Sequence, residues 1–291
     1  MTTAVYSIST DNRLLKTSPL GTTVSNYVEV INEPNHKTVL LTSHLRVLSI
    51  CFGPGHTPTE WHRHSQDSLY MFLTALPSGA IYSQDKVQPK PVTTPPFLAG
   101  FAYYIPHSTK EFIHQVCNCS NTASFACLDI EIYSPPPSKR VGCVVLPPLD
   151  LPNHEAISFA VPPLGPDLVD VPIEARVRLY KLELGERKHQ SEFIWTNEVQ
   201  YNFHGVLISL EAMCVELKTK VATGVEGKLS EPAVTSYQLE RGSVIAVKPG
   251  WYSYRVFHRT NGDEKLDEQD NHRDLDSEGL ADHKLFLVEI L

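Results

Sequence analysis

His62 and His64 stand two apart in the run WHRHSQDSLYMF (61–72), and Asp67 follows three residues after His64. In an extended strand successive side chains alternate between faces, so the two imidazoles project the same way and can converge on one ion. Two neutral imidazoles with a nearby carboxylate suit a first-row divalent metal. No Cys pair accompanies them, which argues against a zinc finger. A third imidazole, His114, lies in FIHQVC (112–117), a run of aromatic and β-branched residues that reads as a strand.

The HxHxxD pattern of His62, His64 and Asp67, followed by Gly100, Pro106, His114 and Asn118, resembles the paired motifs of the cupin superfamily. The resemblance implies a small β-barrel that holds one metal through three His and one carboxylate. It gives His62, His64 and His114 as ligands, with Asp67 in the position of the family's Glu. Asp67 is one methylene shorter, so it binds the ion, reaches it through a water, or orients a ligand His. Glu111, five residues past Pro106, and His107 are the fallback ligands. The ion is Fe(II) by preference, with Mn, Ni or Zn as alternatives.

These residues need strands to hold them, and the composition supplies strands. The chain has 291 residues, 42% of them hydrophobic, and its 22 Pro exceed its 15 Gly. Apolar runs of five to eight residues recur, such as LRVLSICF (45–52), SLYMFLTA (68–75) and FAYYI (101–105). This pattern favours short strands and turns over long helices. No run reaches the roughly 18 consecutive apolar residues of a membrane helix, and the N-terminus lacks a signal-like apolar core. A soluble, cytoplasmic protein with free thiols is expected.

The chain also repeats itself. LRVLSICFG (45–53) is echoed by VRLYKLELG (177–185), AGFAYYIP (99–106) by RGSVIAVKP (241–249), and CLDIEI (127–132) by LFLVEI (285–290). This reads as two barrels from one duplicated unit, 1–150 and 151–291, joined by a Pro-rich connector (134–166). The fold class expected is therefore all-β, with two cupin-type jelly-roll barrels. An Asn follows the Pro by twelve residues in both copies, Asn118 and Asn261, which sets Phe257 against His114. The second copy lacks any HxH; a metal there would have to come from His189, Glu192, His204 and His258. A structural second barrel, covering the first or forming a homodimer, is the expectation.

Charge is concentrated in one place. From Asp263 to Asp282 there are nine acidic and two basic residues, most of the formal net charge of −8. This reads as a solvated surface insertion. The rest is nearly neutral with no basic stripe, so neither nucleic acid nor a membrane is an expected partner.

A small-molecule substrate remains. Trp61, Tyr70, Phe72, Tyr82, Tyr103 and Tyr104 flank the motifs and are candidates to line its pocket. Tyr70 is the first candidate acid/base or hydrogen-bond donor, Tyr104 the second, and Glu111 a third proton carrier. The leading expectation is Fe(II)-dependent, dioxygenase-type oxidation of a small organic acid, enol or phenol. A non-redox lyase, decarboxylase or isomerase is the alternative, and a non-catalytic binding protein the third. Fold alone does not separate them.

Overall fold

The computed structural model describes residues 6–8, 14–17, 23–55, 58–85, 92–93, 95–109, 112–133, 151–152, 154–159, 176–182, 195–220, 229–257 and 284–291. Glu111, His189, Glu192, His258, Asn261 and the acidic insertion lie outside them. Among the described residues there are strands and one short 3-10 turn, Val30–Asn32, but no α-helix. The all-β expectation is met.

The first half contributes twelve strands: β1 (Tyr6–Ile8), β2 (Leu14–Thr17), β3 (Thr23–Glu29), β4 (His36–Leu41), β5 (Leu45–Phe52), β6 (His62–His64), β7 (Asp67–Phe72), β8 (Ile81–Asp85), β9 (Val92–Thr93), β10 (Ala102–Ile105), β11 (Phe112–Asn118) and β12 (Phe125–Ile132). They form two sheets, β1-β2-β3-β6-β11-β8-β9 and β10-β7-β12-β5-β4. All pairs are antiparallel except β3 with β6, where Val28 lies beside His62. The second half adds β13 (His154–Ile157), β14 (Val177–Leu182), β15 (Val199–Tyr201), β16 (His204–Ser209), β17 (Met213–Lys220), β18 (Ala233–Leu239), β19 (Val244–Val247), β20 (Gly250–Phe257) and β21 (Leu285–Ile290). Their sheets run β13-β14-β21-β16-β19 and β15-β20-β17-β18.

Strand order shows the duplication directly. The sheet β10-β7-β12-β5-β4 has the same plan as β19-β16-β21-β14-β13, and β6-β11-β8-β9 the same plan as β15-β20-β17-β18. Even the turn before the last strand of the first pair is repeated. Gly100 (φ 85) and Gly242 (φ 82) take the left-handed conformation that glycine adopts without penalty. Their amides donate to Phe72 O at 2.8 Å and to Ser209 O at 2.7 Å. The chain divides into two compact units: Met1–Pro147 with Ser158–Arg178 and Ile290–Leu291, and Pro148–Ile157 with Leu179–Glu289.

Central strands explain the apolar runs. Every residue of β7 and of β21 is buried, because both faces of a central strand are covered. Edge strands differ: β4 and β18 are mostly exposed. Each unit has its own core. One gathers Phe52, Phe72, Phe97 and Phe125; the other gathers Tyr180, Tyr201, Leu207 and Leu287.

In the first barrel, alternation decides which side chains reach the interior. Cross-strand pairs share a face, so Cys127↔Ile50 and Cys127↔Phe72 align three strands, as do Asp129↔Leu48 and Asp129↔Tyr70. Tyr70↔Tyr103 extends the row to β10. The interior face of this sheet therefore grades from phenylalanines at one end to Ser68, Asp129, Glu131 and Arg46 at the other.

Candidate metal centre

His62 and His64 come from β6 with a burial pattern of buried, half-buried, buried, as period-two spacing requires. On the neighbouring strand β11, His114 is directly opposite His62. The three rings cluster: centroids are 4.5 Å apart for His62 and His114, 5.0 Å for His64 and His114, and 5.1 Å for His62 and His64. His64 Nε2 and His114 Nε2 face one another at 3.0 Å.

A fourth imidazole joins them that the sequence motif did not mark. His36, at the start of β4, lies 4.7 Å from His62 and 5.9 Å from His64 by ring centroids. Candidate ligand atoms of His36, His62 and His64 all lie within 4.8 Å of one another. Its only local signal is Glu33, three residues earlier, whose buried carboxylate accepts from His36 Nδ1 at 2.6 Å. Asn35 in turn holds Glu33 through its amide at 2.8 Å and its side chain at 3.0 Å. A carboxylate behind an imidazole fixes the ring and raises its basicity as a ligand.

The other rings are held at Nδ1 as well. His62 Nδ1 donates to Glu60 O at 2.8 Å. His114 Nδ1 lies 3.3 Å from Ser83 Oγ. His64 Nδ1 lies 3.1 Å from the Tyr70 hydroxyl and 3.3 Å from Asp129 Oδ2. His62 Nε2 is buried with no hydrogen-bond partner. An unsatisfied buried lone pair costs free energy unless something binds it.

Burial keeps these rings neutral. Desolvation pushes His62 down to about 3, with His36 beside it adding to the effect. Desolvation and the neighbouring imidazoles hold His64 and His114 well below the usual histidine range. Neutral imidazoles with bare Nε2 atoms are ready ligands, so the residues present fit a divalent metal ion.

Asp67 is not part of this cluster. β7 places it on the face opposite Tyr70, where its carboxylate accepts from Tyr104 Oη at 2.9 Å, from Ser108 N at 2.9 Å and from Ser108 Oγ. Arg176 Nη1 stands 3.5 Å away. Tyr104 thus faces Asp67 and not the cavity. Ser68 takes the inward position instead, and among the described residues the acids that reach the histidines are Glu33, on His36, and Asp129, which groups with His64 and Glu131. Burial, reinforced by Glu131, raises the Asp129 carboxyl well above its usual range.

Tyr70 does meet the cluster. Its hydroxyl lies between His64 Nδ1 and His107 Nε2, 2.9 Å from the latter. His107 is buried and neutral, pushed down to about 3 by desolvation against the opposing charge of Asp67. With Nε2 of His64 left for an ion, its Nδ1–H points to Tyr70 and Asp129, and Tyr70 donates to His107. A cavity of about 160 Å³ opens beside the histidines, lined in part by His36, His64, Tyr70 and His114. Of the six aromatic candidates, Tyr70, Phe72 and Tyr103 line it. Trp61 lines a separate pocket.

The second barrel shows what the same positions hold there. Tyr252 lies opposite Val199, as His114 lies opposite His62, so Tyr252 takes the register that spacing from the proline had given to Phe257. By the same register Val199 and Tyr201 match His62 and His64. His154↔Leu182 repeats the pairing of His36↔Ile50. His154 keeps its imidazole, but Nε2 accepts from Tyr201 Oη at 2.6 Å, Tyr254 Oη donates to Tyr201 Oη at 2.6 Å, and Nδ1 donates to Pro152 O at 2.7 Å.

No protein-family model and no curated protein matches the chain. Solved structures similar to it include a cupin domain from Bordetella pertussis Tohama I, at 27% identity over 34% of this chain and 92% of that one, TM-score 0.29. Salicylate 1,2-dioxygenase from Pseudaminobacter salicylatoxidans is 15% identical over 86% of this chain and 72% of that one, TM-score 0.40. Oxalate decarboxylase from Lactobacillus farciminis, as its formate complex, is 9% identical over 99% and 83%, TM-score 0.42. The repeated strand plan, with His62, His64 and His114 on adjoining strands of the first copy, is the all-β, two-copy arrangement expected from the sequence motifs.

Proposed function

We propose that this chain is a metal-dependent enzyme whose first barrel acts on a small organic molecule, with Fe(II)-dependent dioxygenase-type oxidation the leading chemistry. The observation that carries the reading is the set of four buried imidazoles with their Nδ1 atoms engaged, beside a largely apolar cavity. His36, His62, His64 and His114 are the residues that would hold the ion; Asp67 would act on the far face, positioning Tyr104 and Ser108. A bound ion supplies Lewis acidity and, if it is iron, one-electron chemistry with dioxygen.

The chain's own residues do the rest. Tyr70 orients the His64 ring through Nδ1 and can give or take a proton at its hydroxyl, with His107 Nε2 as the exchange partner. The aromatic wall excludes water from the reacting centre. The Tyr70–His107 pair also favours a second reading, a lyase, decarboxylase or isomerase, because proton transfer of this kind needs no oxidant.

The experiment is metal analysis of protein purified without added metal, together with oxygen uptake on addition of candidate substrates. Iron with substrate-dependent uptake supports the dioxygenase; zinc or manganese with turnover and no uptake supports the second reading. Metal content unchanged in both His62→Ala and His114→Ala would defeat the assignment of the centre.

A further inference from the structure

The cavity carries chemical information beyond the ion. Most of its polar lining is supplied at the histidine end by His36, His64, His114, Tyr70 and Ser83, with the Tyr103 phenol, stacked on Tyr70, and the Cys127 thiol beside them. Away from that end the wall is built from stacked aromatic pairs: Phe72 on Phe97, centroids 4.1 Å apart at 20°, and Phe52 on Phe125, 5.3 Å apart at 11°. None of the described residues lining it is Lys, Arg, Asp or Glu. Three guanidiniums of this barrel among the described residues are committed elsewhere: Arg46 to Glu131, Arg63 to Glu29 and Arg176 to Asp67.

Size narrows the ligand further. The cavity of about 160 Å³ is close to an apolar protein cavity of about 150 Å³ that accepts benzene. One six-membered ring with a small substituent fits such a space. A charged group pushed into the phenylalanine end would lose its hydration and meet no counter-ion.

We propose that the cavity selects a single-ring phenol or enol, with its oxygen at the histidine end and an uncharged, apolar body, and that it rejects molecules with a carboxylate opposite that oxygen. This rests on the metal-enzyme reading above for the oxygen's partner, and it removes most small organic acids from the substrate range. Selectivity follows from the wall, whose remaining lining is mostly phenylalanine and aliphatic side chains such as Ile81 and Ile105.

The test is calorimetric titration of the full-length protein with para-cresol and with para-hydroxybenzoate, which differ in a methyl against a carboxylate. Metal content is measured on the same samples. Para-cresol is expected to bind once per chain and para-hydroxybenzoate at least about 30-fold more weakly. Phe125→Trp, which fills the cavity, is expected to abolish para-cresol binding. Phe97→Ala, which enlarges it, should weaken para-cresol and admit para-propylphenol. Equal affinity for the two probes overturns the proposal, as does absence of para-cresol binding at any metal content, or binding untouched by both variants. Para-cresol binding to protein that takes up no metal would sink the metal reading and leave the ligand class standing.

Discussion

The Tyr70 hydroxyl lies 2.9 Å from His107 Nε2, and His107 sits in a connection that is longer in the first barrel than in the second. Six residues separate β10 from β11, whereas two separate β19 from β20. Removing the hydroxyl removes a proton carrier without touching a ligand atom. Tyr70→Phe is expected to lower turnover by about 10²–10⁴-fold while metal content stays the same. Parallel loss of metal would show that Tyr70 acts only by holding His64.

His36 and Asp67 should separate in a metal-binding assay. His36→Ala is expected to lower metal affinity by at least about 10-fold, by analogy with the loss of even an outer-shell partner. Asp67→Asn is expected to retain the metal and to lose about 1–3 kcal/mol of stability, since Tyr104, Ser108 and Arg176 lose a charged acceptor. The reverse pattern would make Asp67 the ligand.

Metal-free protein should weaken in mild acid. His62 and His107 have folded values near 3, while an unfolded histidine titrates near 6.5. Above pH 6.5 these two groups are neutral in both states and contribute nothing to the pH dependence. As pH falls from 6.5 toward 3, the unfolded chain binds protons that the folded chain does not, at about 1.4 kcal/mol per pH unit for each such group. Urea midpoints measured across this window should fall, and His107→Gln should make the fall shallower by one group. A flat profile would contradict neutral burial.

Gly205 leaves no room for a side chain. A Cβ there would meet Val288 O at 2.3 Å, across the approach of β16 to β21. Gly205→Ala is expected to cost about 1–3 kcal/mol or more, seen as a lowered thermal midpoint. An unchanged midpoint would mean that the strand can shift at no cost.

Much of the centre was legible in the sequence, and the rest failed for identifiable reasons. Period-two spacing was enough for His62 and His64, and the strand character of FIHQVC for His114. Parity also bore on Asp67, because an offset of three along a strand crosses to the other face, while Ser68 and Tyr70 stand at even offsets from His64. A turn at residues 65 and 66 made that count uncertain until the strand limits were known. His36 had no motif because it reaches the cluster through pairing of β4 with β5. The duplication was visible as strand echoes, but register was not. The connection before β20 is four residues shorter than its counterpart and its Pro stands one residue farther from the preceding strand, and together these move the match of His114 by five residues, from Phe257 to Tyr252. Asp129 and Glu131 went unmarked, although two acids at period-two spacing in an apolar strand are the signal of an interior polar row.

The chain from Tyr254 through Tyr201 to His154 has an optical consequence. Burial raises the phenols of both tyrosines far above their ordinary range, and Tyr70 and Tyr103 in the other barrel are raised in the same way. Of the chain's 12 tyrosines, these four and Tyr104, which burial raises likewise, should stay dark to tyrosinate absorbance in alkali while exposed ones ionise. Their late, abrupt appearance would then time the collapse of each barrel, giving a dye-free clock for two unfolding events in one cuvette.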